Sequence, residues 1–381
     1  MGVGAGTNYG AGEESDFVVR ALSLGFKGLY YPDYYVLHPA KESHPVFDDI
    51  IKNRMLSYGG GYGYFLQKNF YRQGRFLSIK NIFGVFLRLI KSLHSKVEFL
   101  KSFYFTIGFL KGFFKKMKID ILLSTYGDRI LGINRLIQSI DFSNCNLIIA
   151  HQFKNKISSQ AKTFIQKLLH ENNNISYYQL NSFGVTKSRN FLINKAKSNY
   201  IAFCDDDIYY FPNAISTVLD KMEHENIDVA TCMTITDDSK PLKNYASRDY
   251  HHNKRTILRV GTVEIICKRE SILKTDLFPE DMGAGALFPL CDEPVFLNNC
   301  LKQSLKVQFL SIPLCYHPNV SSGSNLNRCY TIARGVCFRR IYGMPALLLI
   351  LIFSLKMKLK YRKLDLLTYT KSLYRGYNEG K

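Results

Sequence analysis

The feature that most constrains the fold of this chain is the alternation of short apolar runs with helical stretches between about Lys118 and Gly343. Continuous apolar runs of this length are typical of strands that are covered on both faces. Strands that alternate with helices predict the α/β class, with a mostly parallel central sheet flanked by helices. The predicted strands are IDILLST (119–125), NLIIA (146–150), ISYYQL (175–180) and YIAFC (200–204), and the predicted helices are 129–140, 158–170 and 184–197.

Three consecutive aspartates, Asp205, Asp206 and Asp207, follow the fourth predicted strand. In sheets of this class, ligands bind beyond the carboxyl ends of the strands. Strand side chains alternate between faces, so Asp205 and Asp207 point the same way and could hold one divalent cation. Such a cation would offset the charge of a leaving diphosphate. The alternative is a solvated turn whose aspartates cap a helix.

A basic segment, SFGVTKSRN (182–190), lies just before the acidic strand and contains Lys187 and Arg189. The guanidinium of an arginine offers a planar fork for phosphate oxygens, and a helix N-terminus favours anions. These two residues are therefore candidates for binding a phosphorylated ligand. A surface turn with two basic residues is the alternative.

A second acidic group follows a glycine-containing loop in GAGALFPLCDEPVFLNNCL (283–301). Gly283 and Gly285 lead into a predicted helix that begins with Asp292 and Glu293. A carboxylate in the first turn of a helix often only complements the helix dipole, but here it could serve as a positioned general base. His317, after the strand VQFLSI (307–312), could be a metal ligand or phosphate contact, or a structural histidine.

Taken together, these motifs resemble those of the family-2 glycosyltransferases with the GT-A fold, over residues 118–343. The resemblance rests on ILLSTYGDR as the opening strand and loop, GVTKSRN before the acidic strand, FCDDD as the Asp-x-Asp motif and DEPVFL as the acid pair opening a later helix. It implies a hexosyltransferase-type enzyme that uses a nucleotide-sugar donor, a UDP- or other NDP-sugar, with Mn²⁺ or Mg²⁺. It also implies direct displacement with inversion.

The resemblance also implies roles for individual residues. Ser124, Thr125 and Tyr126 would line the donor pocket. The acceptor's proton would go to Glu293, with Asp292 as its neighbour. The remaining donor-side residues would be Lys187, Arg189, Asp205 and Asp206, and the metal would be held by Asp205, Asp207 and the candidate ligand His317.

The chain departs from the family pattern at two places. After its second strand the family usually shows an acidic turn containing Gly or Ser, whereas this chain has AHQFKN (150–155), which leaves the donor open. The acid pair runs Asp-Glu where Glu-Asp is commoner, which leaves the choice of base between Asp292 and Glu293 open.

The opening glycines of the chain, in MGVGAGTNYGAGEESDF (1–17), do not fit the spacing of a phosphate-binding loop. Instead, GAGTNYGAGEESDF (4–17) is similar to GAGALFPLCDEPVF (283–296), and His38-Pro39 corresponds to His317-Pro318 at the same shift. We therefore predict three parts: a truncated acceptor-side half of a second copy (1–117), a GT-A domain (118–343) and a basic tail (344–381). A misassigned gene start is the alternative explanation of the first part.

The formal net charge of +20 indicates a polyanionic neighbour, unless it reflects only a lysine-rich genome. Apolar stretches flanked by Lys or Arg predict amphipathic helices at the ends of both copies, in 82–96, 109–118 and 344–363. Such helices suit the surface of an anionic membrane, and the alternative is core helices with a solvated basic face. We find no signature of nucleic-acid binding beyond charge.

The expected location is the cytoplasm, peripheral on the inner face of the cell membrane. Nine cysteines without a C-x-x-C pair fit a reducing compartment, and no secretory signal pattern is apparent. The leading hypothesis is a metal-dependent transferase that adds a sugar to a glycan or lipid-linked acceptor in surface polysaccharide synthesis. The alternatives are a degenerate, non-catalytic sugar- or membrane-binding protein and a nucleotidyltransferase.

Overall fold

The computed structural model describes residues 13–23, 25–29, 47–69, 75–114, 118–154, 156–236, 238–318 and 327–380. The glycine-rich segment 4–12 and His38, which the repeat hypothesis uses, lie outside the described residues. The chain divides into two compact units, Met1–Lys116 and Met117–Lys381.

The first unit is helical in its described part. Its helices are α1 (Glu13–Ser23), α2 (Asp49–Lys68), α3 (Arg75–Lys91) and α4 (Lys96–Phe113). Glycines let α2 and α4 pack with their backbones in contact. A Cβ on Gly59 would overlap the carbonyl oxygen of Phe105, and one on Gly108 would overlap that of Leu56. Residues 109–113 of the apolar stretch 109–118 form the end of α4, and Phe109 there is buried against α2, as the alternative of a core helix expects. The placement of this stretch at a membrane surface stays a prediction.

The second unit is built on a nine-stranded sheet whose strand order is β3-β2-β1-β4-β8-β6-β9-β5, with β7 pairing to β9. Six strands (β1–β4, β6 and β9) run in one direction, and β5, β7 and β8 run against them. The strands are β1 (Ile119–Tyr126), β2 (Cys145–Gln152), β3 (Ile175–Leu180), β4 (Tyr200–Cys204), β5 (Tyr209–Tyr210), β6 (Val229–Ile235), β7 (Tyr250–His251), β8 (Ile265–Lys268) and β9 (Val307–Tyr316).

Helices cover both faces of this sheet, and apolar side chains fill the space between the layers. The helices are α5 (Asn134–Ser139), α6 (Ser159–Glu171), α7 (Val185–Lys195), α8 (Ala214–His224), α9 (Arg269–Ile272), α10 (Asp292–Lys302), α11 (Arg328–Tyr342), α12 (Ala346–Lys360) and α13 (Leu366–Glu379). The predicted α/β class, with a mostly parallel central sheet flanked by helices, is confirmed.

The helical stretch predicted over 129–140 consists of two separate segments. Residues Gly127–Gly132 make a 3-10 helix, and α5 begins only at Asn134. Glycine is a poor helix former, so Gly132 is a natural place for the two segments to separate. The Asp128 carboxylate accepts a hydrogen bond from the Ser158 hydroxyl at 2.6 Å, which fixes the first segment beside the start of α6.

The C-terminal helices of the second unit repeat the close glycine packing of the first. A Cβ on Gly335 in α11 would overlap the carbonyl oxygen of Leu373, and one on Gly376 in α13 would overlap that of Ile332. Helix α12 packs against this pair through Ala346, Ile350 and neighbouring residues. None of the helices in the described part of the chain is long and apolar enough to cross a membrane.

Candidate functional site

The site lies where β1 and β4 end side by side at the carboxyl edge of the sheet, because these strands pair in parallel. At the end of β1, Thr125 donates a hydrogen bond to the Asp206 carboxylate at 2.7 Å. Ser124 accepts one from the Ser188 hydroxyl at 2.8 Å. Tyr126 is 44% exposed, with its ring 6.1 Å from that of Phe183. Of these three predicted donor-side residues, Thr125 therefore contacts the acidic triplet directly, whereas the contacts described for Ser124 and Tyr126 are with the segment around α7.

The acidic triplet lies just after β4, at the start of a turn, and its two outer side chains are the more exposed. The side chains of Asp205 and Asp207 are 33% and 39% exposed, whereas that of Asp206 is 5% exposed. Arg129, in the 3-10 helix after β1, pairs with Asp206 at 2.5 Å and approaches Asp207 at 3.5 Å. Asp206 is thus fixed by its neighbours, and the two outer carboxylates face the accessible side.

Arg189 joins the two acidic groups of the sequence. It lies on α7 with its side chain 6% exposed, and it pairs with Asp292 at 2.6 Å and with Asp205 at 3.6 Å. The aspartates at the end of β4 and the acid pair that opens α10 therefore meet around one guanidinium. Lys187, two residues earlier on α7, is exposed and lies outside this buried contact.

The glycine loop before α10 makes this meeting sterically possible. The Ala284 carbonyl accepts from the Val185 amide at 2.9 Å, and the Met282 carbonyl accepts from the Thr186 hydroxyl at 2.9 Å. Gly283 has a φ of +93°, and a Cβ there would lie about 3 Å from Val185 and Asp292. Glycine is therefore needed at 283 both for its backbone conformation and for the room beside the acid pair.

Within the acid pair, the two carboxylates have different surroundings. The Asp292 side chain is 5% exposed and is held by Arg189. Glu293 is half-buried, and its Oε1 accepts a hydrogen bond from the Thr262 hydroxyl at 2.5 Å. Of the two, Glu293 is the more accessible to a second reactant.

Burial dominates the electrostatics of the cluster. It raises the pKa of Asp292, and the neighbouring Glu293 adds to this effect while Arg189 opposes it. Burial likewise raises the pKa of Asp205 against the influence of Arg189. Burial disfavours the charged guanidinium of Arg189, but Asp292 and Asp205 outweigh it and raise the pKa of Arg189. The arginine therefore stays charged and holds the carboxylates in place.

His317 follows β9 and lies near the acidic triplet. Its Nε2 is 3.9 Å from the Asp207 carboxylate, and its Nδ1 lies 2.6 Å from the Pro318 carbonyl oxygen. Among the described residues, no three His, Cys, Asp or Glu side chains are grouped closely enough to hold a metal by themselves. The donors available are two accessible carboxylates and one imidazole. Carboxylates of this kind suit Mg²⁺ or Mn²⁺ when substrate phosphates complete the coordination.

Several residues of the site carry no role in the sequence-based hypothesis. Arg129 and Thr262 contact the acidic residues directly. At the end of β2, Gln152 donates to the Ser182 carbonyl at 2.6 Å and thereby fixes the segment before α7. His151 is buried between the Tyr177 hydroxyl and the Gly127 carbonyl, and burial lowers its pKa. The role of Arg129 could have been inferred from its place in STYGDR, three residues after the end of β1.

A comparison with protein-family models gives one match of this chain. Residues 133–279 match the model of Glycosyl transferase family 2. The segment covers α5 to the loop after α9 and includes β4, the acidic triplet and Arg189. This part of the chain is therefore similar in sequence to glycosyltransferases of that family. A comparison with curated protein sequences gave no match.

Three of the solved structures that resemble this chain illustrate the similarity, each at low sequence identity. TarS 1–349 of S. aureus, in complex with UDP-GlcNAc, has a TM-score of 0.48 and 13% identity over 70% of this chain and 93% of that one. The mannosyltransferase PcManGT of Pyrobaculum calidifontis, with GDP-Man and Mn²⁺, has a TM-score of 0.44 and 11% identity over 70% and 88%. The match to a longer TarS chain, with a TM-score of 0.46 and 14% identity, covers 64% of this chain and spans 43% of that one.

Proposed function

We propose that this protein is a metal-dependent, inverting glycosyltransferase of the hexosyltransferase type. It moves a sugar from a nucleotide-sugar donor to a glycan or lipid-linked acceptor in the synthesis of a surface polysaccharide. The match of residues 133–279 to the family model supports the reaction class. The donor sugar, the acceptor and the pathway rest on the resemblance of the sequence motifs.

One observation carries the proposal: Arg189 contacts both Asp205 and Asp292. A transferase of this type needs the donor and the base on either side of the reacting carbon, in one cleft. Asp205 and Asp207 are the accessible acids on one side, and Glu293 follows Asp292 on the other. Had the two acidic groups lain on opposite sides of the sheet, no single substrate could reach both.

On the donor side, Asp205 and Asp207 would hold Mn²⁺ or Mg²⁺, with His317 as a further candidate ligand. The cation, when bound, would neutralise charge on the departing nucleoside diphosphate. Ser124, Thr125 and Tyr126 would line the donor pocket, with Arg189 and Lys187 supplying positive charge and Asp206 fixing the loop. Asp206 acts in this scheme by holding Thr125 and Arg129 in place.

On the acceptor side, Glu293 is the proposed base. Its carboxylate takes the proton of an acceptor hydroxyl, and the freed oxygen pair forms a bond to the anomeric carbon. The bond from that carbon to the nucleoside diphosphate breaks at the same time, and its electron pair leaves with the diphosphate. Attack from the face opposite the leaving group inverts the configuration. Thr262 orients the base by donating a hydrogen bond to it.

The test is release of nucleoside diphosphate from a panel of nucleotide sugars in the presence of Mn²⁺. We expect Asp207→Asn to abolish the release, while Glu171→Gln, which changes an exposed carboxylate on α6, leaves it unchanged. Release of inorganic pyrophosphate from a nucleoside triphosphate and a sugar phosphate would indicate a nucleotidyltransferase instead. Absence of turnover and of nucleotide binding by calorimetry, with every donor, would favour the non-catalytic sugar- or membrane-binding alternative.

A further inference from the structure

Helix α12 presents an apolar face that the described part of the chain does not cover. Its inner side packs on the C-terminal helices through Ala346, Ile350 and Ser354. The outer side carries side chains between 54% and 82% exposed at spacings of three and four residues, which places them along one face of the helix. These are Leu348, Leu351, Ile352, Leu355 and Leu359.

Helix α3 of the first unit has the same organisation. Ser78 and Val85 are buried on its inner side. Its outer side carries apolar side chains between 39% and 63% exposed, again at helical spacing. These are Ile79, Phe83, Phe86, Leu87 and Ile90.

The supports of the two helices are alike as well. Helix α3 lies in sequence between α2 and α4, which are joined by the Gly59 and Gly108 contact, and α12 lies between α11 and α13, which are joined by the Gly335 and Gly376 contact. Each unit thus carries one exposed apolar helix on a rigid glycine-packed pair.

We propose that α3 and α12 are the two elements by which this protein lies on an anionic membrane surface. This interaction is independent of the catalytic chemistry proposed above. It would place the enzyme on the cytoplasmic leaflet, where a lipid-linked acceptor is available. Each helix lies in the plane of the interface with its outer side chains among the acyl chains.

The charges of the two helices select a bilayer as the partner. Neither Arg75–Lys91 nor Ala346–Lys360 contains an acidic residue. Exposed basic side chains border both apolar faces and can contact lipid phosphates. These are Lys80 and Lys91 beside α3, and Lys356, Lys360, Arg362 and Lys363 beside α12. At 1.5 Å per residue, helices of this size are about 20–25 Å long, which is too short to span the hydrocarbon core of a bilayer.

A tryptophan reporter tests the proposal directly, because the natural chain contains no tryptophan. Ile352→Trp and Phe83→Trp place one reporter on each outer face, and Leu169→Trp on α6 is the control. With vesicles of equal parts phosphatidylcholine and phosphatidylglycerol, we expect emission of the first two to shift to shorter wavelength and to be quenched by brominated acyl chains. The control should not respond. No response from either reporter would overturn the proposal.

Vesicle flotation measures how much each helix contributes. We expect Leu348→Gln/Leu351→Gln/Leu355→Gln, and separately Ile79→Gln/Phe83→Gln/Ile90→Gln, to weaken partitioning about tenfold or more. Pure phosphatidylcholine or about 1 M salt should weaken it as well, because the attraction of lysines to anionic lipids is screened. Both triple variants replace exposed side chains, and circular dichroism verifies the fold. Unchanged flotation together with loss of a dimer in sedimentation would assign the faces to a second copy of this chain and refute the membrane assignment.

Discussion

Arg189 is the residue on which the arrangement of the site depends. A buried guanidinium is tolerated only when its charge is paired, and here two aspartates from distant parts of the chain provide the pairing. Asp292 forms the closer of these two ion pairs, and accepting a proton would break that pair. Glu293, which accepts a hydrogen bond from Thr262 and is more accessible, is the better candidate for the base.

This division of labour makes the two acids experimentally distinguishable. We expect Glu293→Gln to lower kcat by about 10²–10⁴-fold with little change in thermal stability, because the proton acceptor is lost. Asp292→Asn should instead destabilise the fold by about 3–5 kcal/mol, because it leaves the buried Arg189 without its closest partner. Steady-state kinetics and urea unfolding of both variants separate the effects. The reverse pattern would make Asp292 the base.

The positive charge of Arg129 lies beside the aspartates that would bind a metal ion, so the arginine and the ion would compete for the same carboxylates. Its exposed guanidinium contacts Asp206 and approaches Asp207, so a divalent ion at Asp207 must overcome its charge. We expect Arg129→Ala to bind Mn²⁺ about three- to tenfold more tightly, as measured by electron paramagnetic resonance of the free ion. Arg135→Ala on α5, an exposed arginine, is the control. Weaker binding in Arg129→Ala would mean that the arginine instead orients the carboxylates.

At the residue scale, the sequence shows which side chains are chemically suited to a site but not which of them are in contact. The sequence predicts that Asp205 and Asp207 differ from Asp206, and their exposures do differ, although the three residues lie after β4 rather than within it. The contacts of Arg129 and Thr262 could not be predicted, since each joins segments that only the folded sheet brings together. The exposure of Lys187 follows from the turn of α7, whereas its sequence position beside Arg189 implied a shared role.

Among the elements, the glycine-packed helix pairs are the most specific features of the structure. Gly59 and Gly60 are adjacent on α2, yet a Cβ on Gly59 would overlap the backbone of α4, whereas the nearest atom to one on Gly60 is 3.8 Å away. We expect Gly59→Ala to lower the free energy of unfolding by about 1–3 kcal/mol. Gly60→Ala should raise it by about 0.5–1 kcal/mol, because alanine favours the helix.

Urea unfolding followed by far-ultraviolet circular dichroism measures both changes, and the adjacent substitution is its own control. If both variants shifted stability in the same direction, α2 and α4 would not be in backbone contact at Gly59.

The strands were easier to predict than the helices, and the reason is physical. Buried strands are short and apolar throughout, so β4, which is buried along its whole length, begins and ends where the sequence predicts. The bounds of β3 also agree with the prediction, although this edge strand is only partly buried. The stretch 129–140 is helical as predicted but is divided into two segments, because apolar spacing alone does not show a break at Gly132. The apolar stretches predicted in the first unit, 82–96 and 109–118, fall partly within α3 and α4, whose bounds differ from the prediction. The burial of Phe109 accompanies close backbone contacts with Gly59 and Gly63, which a hydrophobic pattern does not show.

At the scale of the whole molecule, part of the excess positive charge lies beside exposed apolar helix faces. The net charge of +20 is compatible with several partners, and the sequence favours an anionic membrane only through its apolar stretches flanked by basic residues. The structure adds two helices that expose apolar side chains beside lysines and contain no acid. Charge and apolar surface together favour a lipid interface over nucleic acid, which would require base or phosphate contacts but no exposed leucines.

The two units allow a last prediction that separates catalysis from membrane attachment. Every contact described for the site lies within Met117–Lys381, which has its own sheet and core. We therefore expect a chain of residues 117–381 to fold and to release nucleoside diphosphate from the donor in solution at the rate of the full chain. Its partitioning to anionic vesicles should fall, because α3 is absent while α12 remains. Circular dichroism, donor turnover and flotation measure the three properties on one sample. A chain that folds but loses turnover in solution would show that the first unit contributes to the reaction itself, and one that keeps full vesicle binding would leave α12 as the sole membrane element.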